Sequence, residues 1–429
     1  MQIKSAKEDY DIVIVGGGMV GASFACALDR AAADKNLSIL VVEASTLSNC
    51  PPPIQPSFDA RSTALSFGSS KILEWAGLWT DLLEAVTPIK QIHISDKGHF
   101  GSALLNHEEH EIDALGYVIE NNQLGAVLNK AMESSSTIEL LCPARIDSVK
   151  PLAAGMKLAI VTDETDFTVE TSLVVLADGG KSPICSQLGI SRDTESYEQH
   201  ALIANIAFEK PHEHIAYERF TDTGPLAVLP LSRLENENRA SLVWTVANEQ
   251  VEELKLLAEE DLLERLQERF GNRLGKIRKI GERFFYPLSL STAKEQIRPG
   301  LVLLGNVAHT LHPVAGQGLN LALRDIESLV NSLLSSRIKN SQETFEVKKL
   351  LDSRSKNLKI GSIQNLQEYL RLQESDQART IMFTDKIAKL FSNNDKVKIW
   401  ARKFGLLSIE MTPSIKKEFS KQAMGLREN

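Results

Sequence analysis

Six residues constrain this chain more than any others. Gly16-Gly17-Gly18-Met19-Val20-Gly21 is a G-x-G-x-x-G run, preceded by the β-branched stretch YDIVIV at 10–15 and followed by the helix-prone stretch to Ala33. The order strand, glycine turn, helix is that of a dinucleotide-binding βαβ unit. Gly16 permits the tight turn, Gly18 lets a pyrophosphate approach the backbone, and Gly21 allows close helix–strand packing. Met19 and Val20 open a helix, expected over 19–34, whose free N–H groups and positive dipole end face the phosphates. A second strand is expected at 38–43. It ends on Glu43, 22 residues beyond Gly21, where a carboxylate can accept from a ribose diol and repels a 2′-phosphate. This unit alone leaves the choice between NAD and FAD open.

The remainder bounds the architecture. With 429 residues the chain has room for two or three domains. Residues 44–62 read as loop, 64–86 as helix, 89–105 as strands, 121–134 as helix and 137–177 as strands, with LVVLA at 173–177 buried. Residues 200–247 read as strands, and 249–270 as one acidic amphipathic helix. A strand ends at Gly305, and from about 317 nearly everything is helical. The expected fold class is α/β, with β/α segments at both ends of a β-rich middle. The dinucleotide domain takes 1–75, 102–185 and 290–335, an interleaved mixed-sheet domain takes 76–101 and 186–289, and a helical region covers 336–429.

Net charge is −8, which argues against a nucleic-acid partner. Residues 386–429 reverse that sign, with ten Lys/Arg against four Asp/Glu. Lys396, Lys398, Arg402 and Lys403 there accompany Trp400 and Phe404, which reads as a solvated helix or as a docking surface for anionic lipid or a lipid-carrying partner. Cys26, Cys50, Cys142 and Cys185 form no C-x-x-C pair and imply a reducing compartment. With no leader and no spanning apolar run, a cytoplasmic protein is expected, and peripheral membrane contact stays open.

Two further segments bear on the cofactor. Leu176-Ala177-Asp178-Gly179 ends a buried strand. Gly305-Asn306-Val307-Ala308-His309-Thr310-Leu311-His312-Pro313 continues through Gly316-Gln317-Gly318-Leu319-Asn320. Pro313 and the Gly316-Gln317-Gly318 turn strip side chains from the backbone, and a helix from about Leu319 points its N-terminus at whatever lies there. Such a helix end matches an isoalloxazine that becomes anionic on reduction. Arg61, in a polar loop, is a candidate pyrophosphate partner.

Together the three motifs resemble those of the class A aromatic hydroxylases, FAD-dependent monooxygenases with a p-hydroxybenzoate-hydroxylase-like fold. The string HPVAGQGLNLALRD from His312 resembles the signature of the ubiquinone-biosynthesis hydroxylases. FDARSTALS around Arg61, HISDKGHFG at 93–101, YERFTDTGPLAVLPL at 217–231 and YPLSL at 286–290 are similar to the 2-polyprenyl-6-methoxyphenol hydroxylase branch. Three positions depart from the family pattern. Asn306 stands where Asp is usual, Asp178-Gly179-Gly180-Lys181-Ser182 runs to Cys185 without the usual arginine, and Ala322 replaces a glycine.

The resemblance implies FAD, O₂, a polyprenylated phenol, and NAD(P)H or another electron donor. It also implies hydroxylation para to the phenolic hydroxyl through a flavin C4a-hydroperoxide, with ubiquinone-biosynthesis proteins as partners. A phenol is already activated at that position, so no catalytic side chain is assigned. Hydroxylation at another ring position and a non-catalytic flavin-holding scaffold stay open as alternatives. Residues 224–231 read either as a wall of the ring site or as an ordinary core strand. His309 and His312, three apart beside Pro313, read as part of a flavin loop, so no metal is expected.

Overall fold

The computed structural model describes residues 7–34, 37–46, 61–97, 102–221, 224–313, 316–341, 360–391 and 412–426. Cys50 and the basic stretch with Trp400 and Phe404 lie outside these residues.

The chain opens with β1 (Asp9–Val15), α1 (Met19–Ala31) and β2 (Ile39–Val42). Every residue of β1 after Asp9 is buried, as its unbroken apolar run requires of a strand covered on both faces. Next come β3 (Ser62–Ser66), α2 (Phe67–Trp75), α3 (Trp79–Leu82), β4 (Thr87–Ile89), β5 (Gln91–Asp96) and β6 (Ser102–Asn106). These are followed by β7 (Gly116–Glu120), α4 (Asn121–Ser134), β8 (Ile138–Leu141), β9 (Arg145–Leu152), β10 (Gly155–Val161), β11 (Asp166–Leu176) and α5 (Pro183–Gln187). The middle of the chain supplies β12 (Arg192–Phe208), β13 (Ile215–Thr221), β14 (Gly224–Pro230) and β15 (Asn238–Ala247), then α6 (Val251–Leu256), α7 (Glu259–Phe270) and β16 (Ile277–Ile280). It returns through β17 (Phe284–Ala293), β18 (Ile297–Arg298), β19 (Leu301–Leu303) and β20 (His309–Thr310) to α8 (Gln317–Ser341), α9 (Ile363–Phe391) and α10 (Pro413–Ala423).

Three sheets result. The first has the order β18-β19-β11-β1-β2-β8, with β10 and β9 added beside β11. Its central strands are parallel, and α1, α8 and α9 close one side of it with Phe24, Leu28, Leu329, Val330 and Tyr369 in one core. The second has the order β20-β17-β12-β15-β14-β13-β5-β6, with β16 beside β12. One of its faces is covered by α6 and α7 through Leu254, Leu262, Leu266 and Phe270. A small sheet, β3-β7-β4, is the third.

Several elements differ from the sequence expectation. The span 64–86 is a strand and two short helices, because Ser62–Ser66 pairs with the distant Gly116–Glu120. The span 249–270 is two helices, broken where Leu257 is extended (φ −63°, ψ 137°). Helix α1 ends at Ala31, short of residue 34, and α8 begins at Gln317, ahead of Leu319. Strand β6 pairs with β5, so the second sheet reaches past the boundary expected at residue 101.

Candidate active site

The parallel register explains why three distant motifs share one place. Leu303 lies beside Leu176, Leu176 beside Val15, and Val15 beside Val42. One residue further along, the strands deliver Leu304, Ala177, Gly16 and Glu43 to the carboxyl edge of the sheet. Ligands of open α/β sheets bind at that edge. A cavity of about 1030 Å³ opens there and extends to the second sheet.

The sequence-derived residues converge on it. Gly16, Gly18, Met19, Val20, Glu43, Arg61, Asp178, Gly305, Asn306, Pro313, Gly316, Gly318, Leu319 and Asn320 all line the cavity. Gly21 and Gln317 do not. Gly21 is buried in α1, where a Cβ would stand 1.9 Å from the Gly16 carbonyl oxygen, so its place is in the packing of helix on strand. Gln317 is buried in the first turn of α8.

Each part of the edge has an identifiable cause. Gly16 has φ +99°, and a Cβ there would lie 2.6 Å from the Ala177 carbonyl oxygen. Glu43 Oε2 accepts from the Gly17 N–H at 2.7 Å and Oε1 accepts from the Ser45 N–H at 2.7 Å, so the carboxylate also shapes the glycine turn. It retains lone pairs for a ribose diol. Gly18 caps α1 without any side-chain hydrogen bond, which leaves first-turn N–H groups available to phosphates. Asn320 joins the third motif to β3: its Oδ1 accepts from Ser66 N–H at 2.9 Å, and its amide donates to Ala64 and Gly316 carbonyls at 2.9 and 2.7 Å. The Arg61 guanidinium lies 4.6 Å over the Tyr286 ring of β17, which ties the entry to β3 to the second sheet.

The site fits a flavin dinucleotide on its own geometry. The bare backbone of Gly318 faces open cavity, since a Cβ built there meets nothing within 4 Å. Asp178 Oδ1 is buried with no partner among the described residues. Burial pushes that carboxyl up, against the opposing pull of Ser182 and Arg192, and a hydroxyl donor from a bound ligand would add to that pull. Asn306 reaches the cavity and can donate as well as accept.

Some site residues were not legible in the sequence. Arg192, at the start of β12, donates to the carbonyls of Asn306 (3.0 Å) and Val307 and to Ser291 Oγ (3.0 Å), pinning the turn that carries Asn306. Asn121 opens α4 at the cavity wall and accepts from Thr63 Oγ1 at 2.6 Å. The two histidines of the third motif diverge. His309 Nε2 lies 2.8 Å from Asp325 Oδ2, whereas His312 meets the Tyr197 ring edge-on at 5.1 Å and burial pushes it down to about 4, so it is neutral at pH 7. Among the described residues no cluster of three or more His, Cys, Asp or Glu could hold a metal, and no helix is long and apolar enough to cross a membrane. Strand β14 divides by alternation: Pro225, Ala227 and Leu229 line the cavity, while Leu226 and Val228 enter the core under α6 and α7.

Comparison with known proteins agrees with this geometry. Residues 9–343 match the family model described as "FAD binding domain". The chain is 32% identical to the ubiquinone hydroxylase UbiL of Rhodospirillum rubrum, over 98% of this chain and 91% of that one. It is 28% identical to the 3-demethoxyubiquinol 3-hydroxylase of Escherichia coli, over 97% of this chain and 98% of that one. The crystal structure of p-nitrophenol 4-monooxygenase PnpA from Pseudomonas putida shares the fold, with a TM-score of 0.72 at 15% identity, over 99% of this chain and all of that one.

Proposed function

This chain belongs to the FAD-binding-domain family of aromatic-ring monooxygenases, with a p-hydroxybenzoate-hydroxylase-like fold, and from that premise we propose that it hydroxylates a 2-polyprenyl-6-methoxyphenol para to its hydroxyl in ubiquinone biosynthesis. The relatives from Rhodospirillum rubrum and Escherichia coli carry the names of ubiquinone-pathway hydroxylases, which supports the pathway. One structural observation carries the substrate class. Beyond the carboxyl edge of the first sheet the cavity is lined by Ile92, Ile94, Leu105, Phe220, Phe383, Ile387 and Phe419, an apolar chamber between β5, β6, β13, α9 and α10. A polyprenyl tail gains about 0.8 kcal/mol for each CH₂ it buries there.

Bound FAD supplies the oxygen activation. The residues that would hold it are Gly16 and Gly18 with the first turn of α1, Glu43, Arg61, Asp178, Gly305, Asn306 and the first turn of α8 at Gly318, Leu319 and Asn320. The chain's own work is to seat the ring on the wall formed by Ala227, Val243 and Ile203, to exclude water, and to draw the tail into the chamber. The electron donor is proposed to be NAD(P)H, visiting transiently.

The deciding experiment measures O₂ consumption by the flavin-loaded protein with a short-chain 2-polyprenyl-6-methoxyphenol, followed by mass spectrometry and NMR of the product. Consumption coupled to formation of the 1,4-quinol is expected. Oxygenation at another carbon would reassign the ring position, and uptake of flavin without substrate-dependent consumption would favour a scaffold. The tail chamber makes its own prediction. Phe383→Asp places a carboxylate in the apolar wall and is expected to raise KM for a prenylated phenol by about tenfold or more, while KM for a tail-less 2-methoxyphenol stays unchanged. Equal effects on both compounds would remove the chamber assignment.

A further inference from the structure

Strand β13 alternates across the second sheet. Tyr217 and Arg219 project to the helix-covered face, where Tyr217 packs on Phe270 and Arg219 donates to the Arg269 carbonyl at 2.9 Å. Ala216, Glu218 and Phe220 project the other way and line the cavity. Register fixes the neighbours of Glu218. Ile94 lies beside it on β5 and Ala227 on β14, with Val243 of β15 and Ile203 of β12 completing the row. All five line the cavity. Glu218 is the ionisable side chain of an otherwise apolar row.

A carboxylate set in such a row carries a desolvation cost with no packing reward, so its presence calls for a partner that enters the cavity. We infer that Glu218 contacts the substrate, receiving the phenolic O–H of the ring and fixing which ring carbon faces the flavin. This rests on the phenol reading above and gives that site a named acceptor. The carboxylate accepts a hydrogen bond from the phenol. As the opposite carbon is oxygenated, the phenolic O–H bond breaks and the proton passes to Glu218. The acid then returns it to the same oxygen as the ring regains aromaticity, while the hydrogen on the oxygenated carbon leaves as a proton and ends in the water formed from the second atom of O₂. No electrons pass through the carboxyl group.

The surroundings suit this role. Strand β14 carries no titratable side chain. On β5 the titratable residues are His93, which shares the opposite face and lies against Tyr217, and Asp96, two residues beyond Ile94. From the far walls of the cavity come neutral His312, Arg61 stacked on Tyr286, and Glu43, Arg145 and Asp178. None of these perturbs Glu218; burial alone pushes it up to about 7. A group poised there ionises in the working range of an enzyme and is a stronger acceptor than an ordinary carboxylate.

The test compares wild type with Glu218→Gln and Glu218→Asp, each loaded with FAD. A 2-methoxy-6-prenylphenol is titrated against flavin absorbance between about pH 5 and pH 9. Wild type is expected to bind more tightly as pH rises, with a midpoint near 7. E218Q is expected to bind on the order of tenfold more weakly above neutrality and to lose the pH dependence. E218D is expected to restore the dependence with a weaker plateau. Flavin content and unfolding midpoint report folding independently, and E218Q should match or exceed wild type in both. A folded E218Q with unchanged affinity and unchanged midpoint would overturn the assignment while leaving the substrate reading standing. Failure of wild type to bind the phenol at any pH would overturn both.

Discussion

Replacing Gly318 with leucine is expected to abolish FAD retention without unfolding the protein. The two effects separate because of where the new side chain goes. A Cβ at Gly318 meets nothing within 4 Å, and the residue lines the cavity, so the leucine occupies the space over the first turn of α8. That is the space in which the flavin ring would lie against the helix N-terminus. Losing the backbone hydrogen bonds and the helix-end field there costs about 3 kcal/mol or more, a hundredfold or greater loss of affinity. The same change helps the helix by up to about 1 kcal/mol, since glycine is a poor helix former. The unfolding midpoint of G318L apoprotein should therefore equal or exceed that of wild-type apoprotein. Visible absorbance after gel filtration reads retention, and a urea titration reads folding. Gly16 and Gly21 could not serve, because a Cβ at either stands within 2.6 Å of backbone and breaks fold and site together. A yellow, stable G318L protein would remove α8 from the flavin site.

What the sequence made legible shares one physical property: the information is local. The glycine turn, the helix after it and the carboxylate at the end of β2 all lie within one βαβ unit. Periodicity and glycine chemistry therefore place Gly16, Gly18, Gly21 and Glu43 without knowledge of the rest. The third motif is also local: Gly305 and Gly316 take positive φ against Val20 and Ala64, and Gly318 leaves bare backbone facing the cavity. The failures are tertiary. Ser62–Ser66 has ordinary helix-compatible composition, and only its pairing with Gly116–Glu120 makes it a strand. Alternation in β13 is visible, but which face turns to the cavity depends on α6 and α7 covering the other, so Glu218 carried no signal. Arg192 acts on carbonyls 114 and 115 residues away. One miss had a readable sign. Glu259, Glu260 and Asp261 form an acidic first turn of α7, the charge pattern of a helix start, inside a span read as continuous.

The second large effect concerns how α8 is held over the site. Asp325 lies two turns beyond Gly318 on that helix and is fully buried. Its Oδ2 meets His309 Nε2 at 2.8 Å, and its Oδ1 accepts from Gln377 Nε2 at 2.8 Å. His309 belongs to β20, paired to the edge of the second sheet at Thr292, and Gln377 belongs to α9 and accepts from Gln296 at 2.9 Å. One carboxyl group thus ties helix, sheet edge and the helix that brings Phe383 and Ile387 to the tail chamber. Asp325→Ala leaves an imidazole and an amide buried without their partner and opens a cavity beside them. Breaking a buried pair of this kind costs about 3–5 kcal/mol. The urea midpoint of apoprotein should fall accordingly, and FAD should dissociate faster because the helix that would hold it loses its tie to the sheet edge at His309. Asp325→Asn keeps the acceptor for Gln377 and a hydrogen-bonding group for His309, so its loss should be the smaller of the two. An alanine variant with an unchanged midpoint would show that His309 and Gln377 find other partners and that the cradle is held by the packing of α8 on α1 and α9 and by the Arg324–Asp376 ion pair.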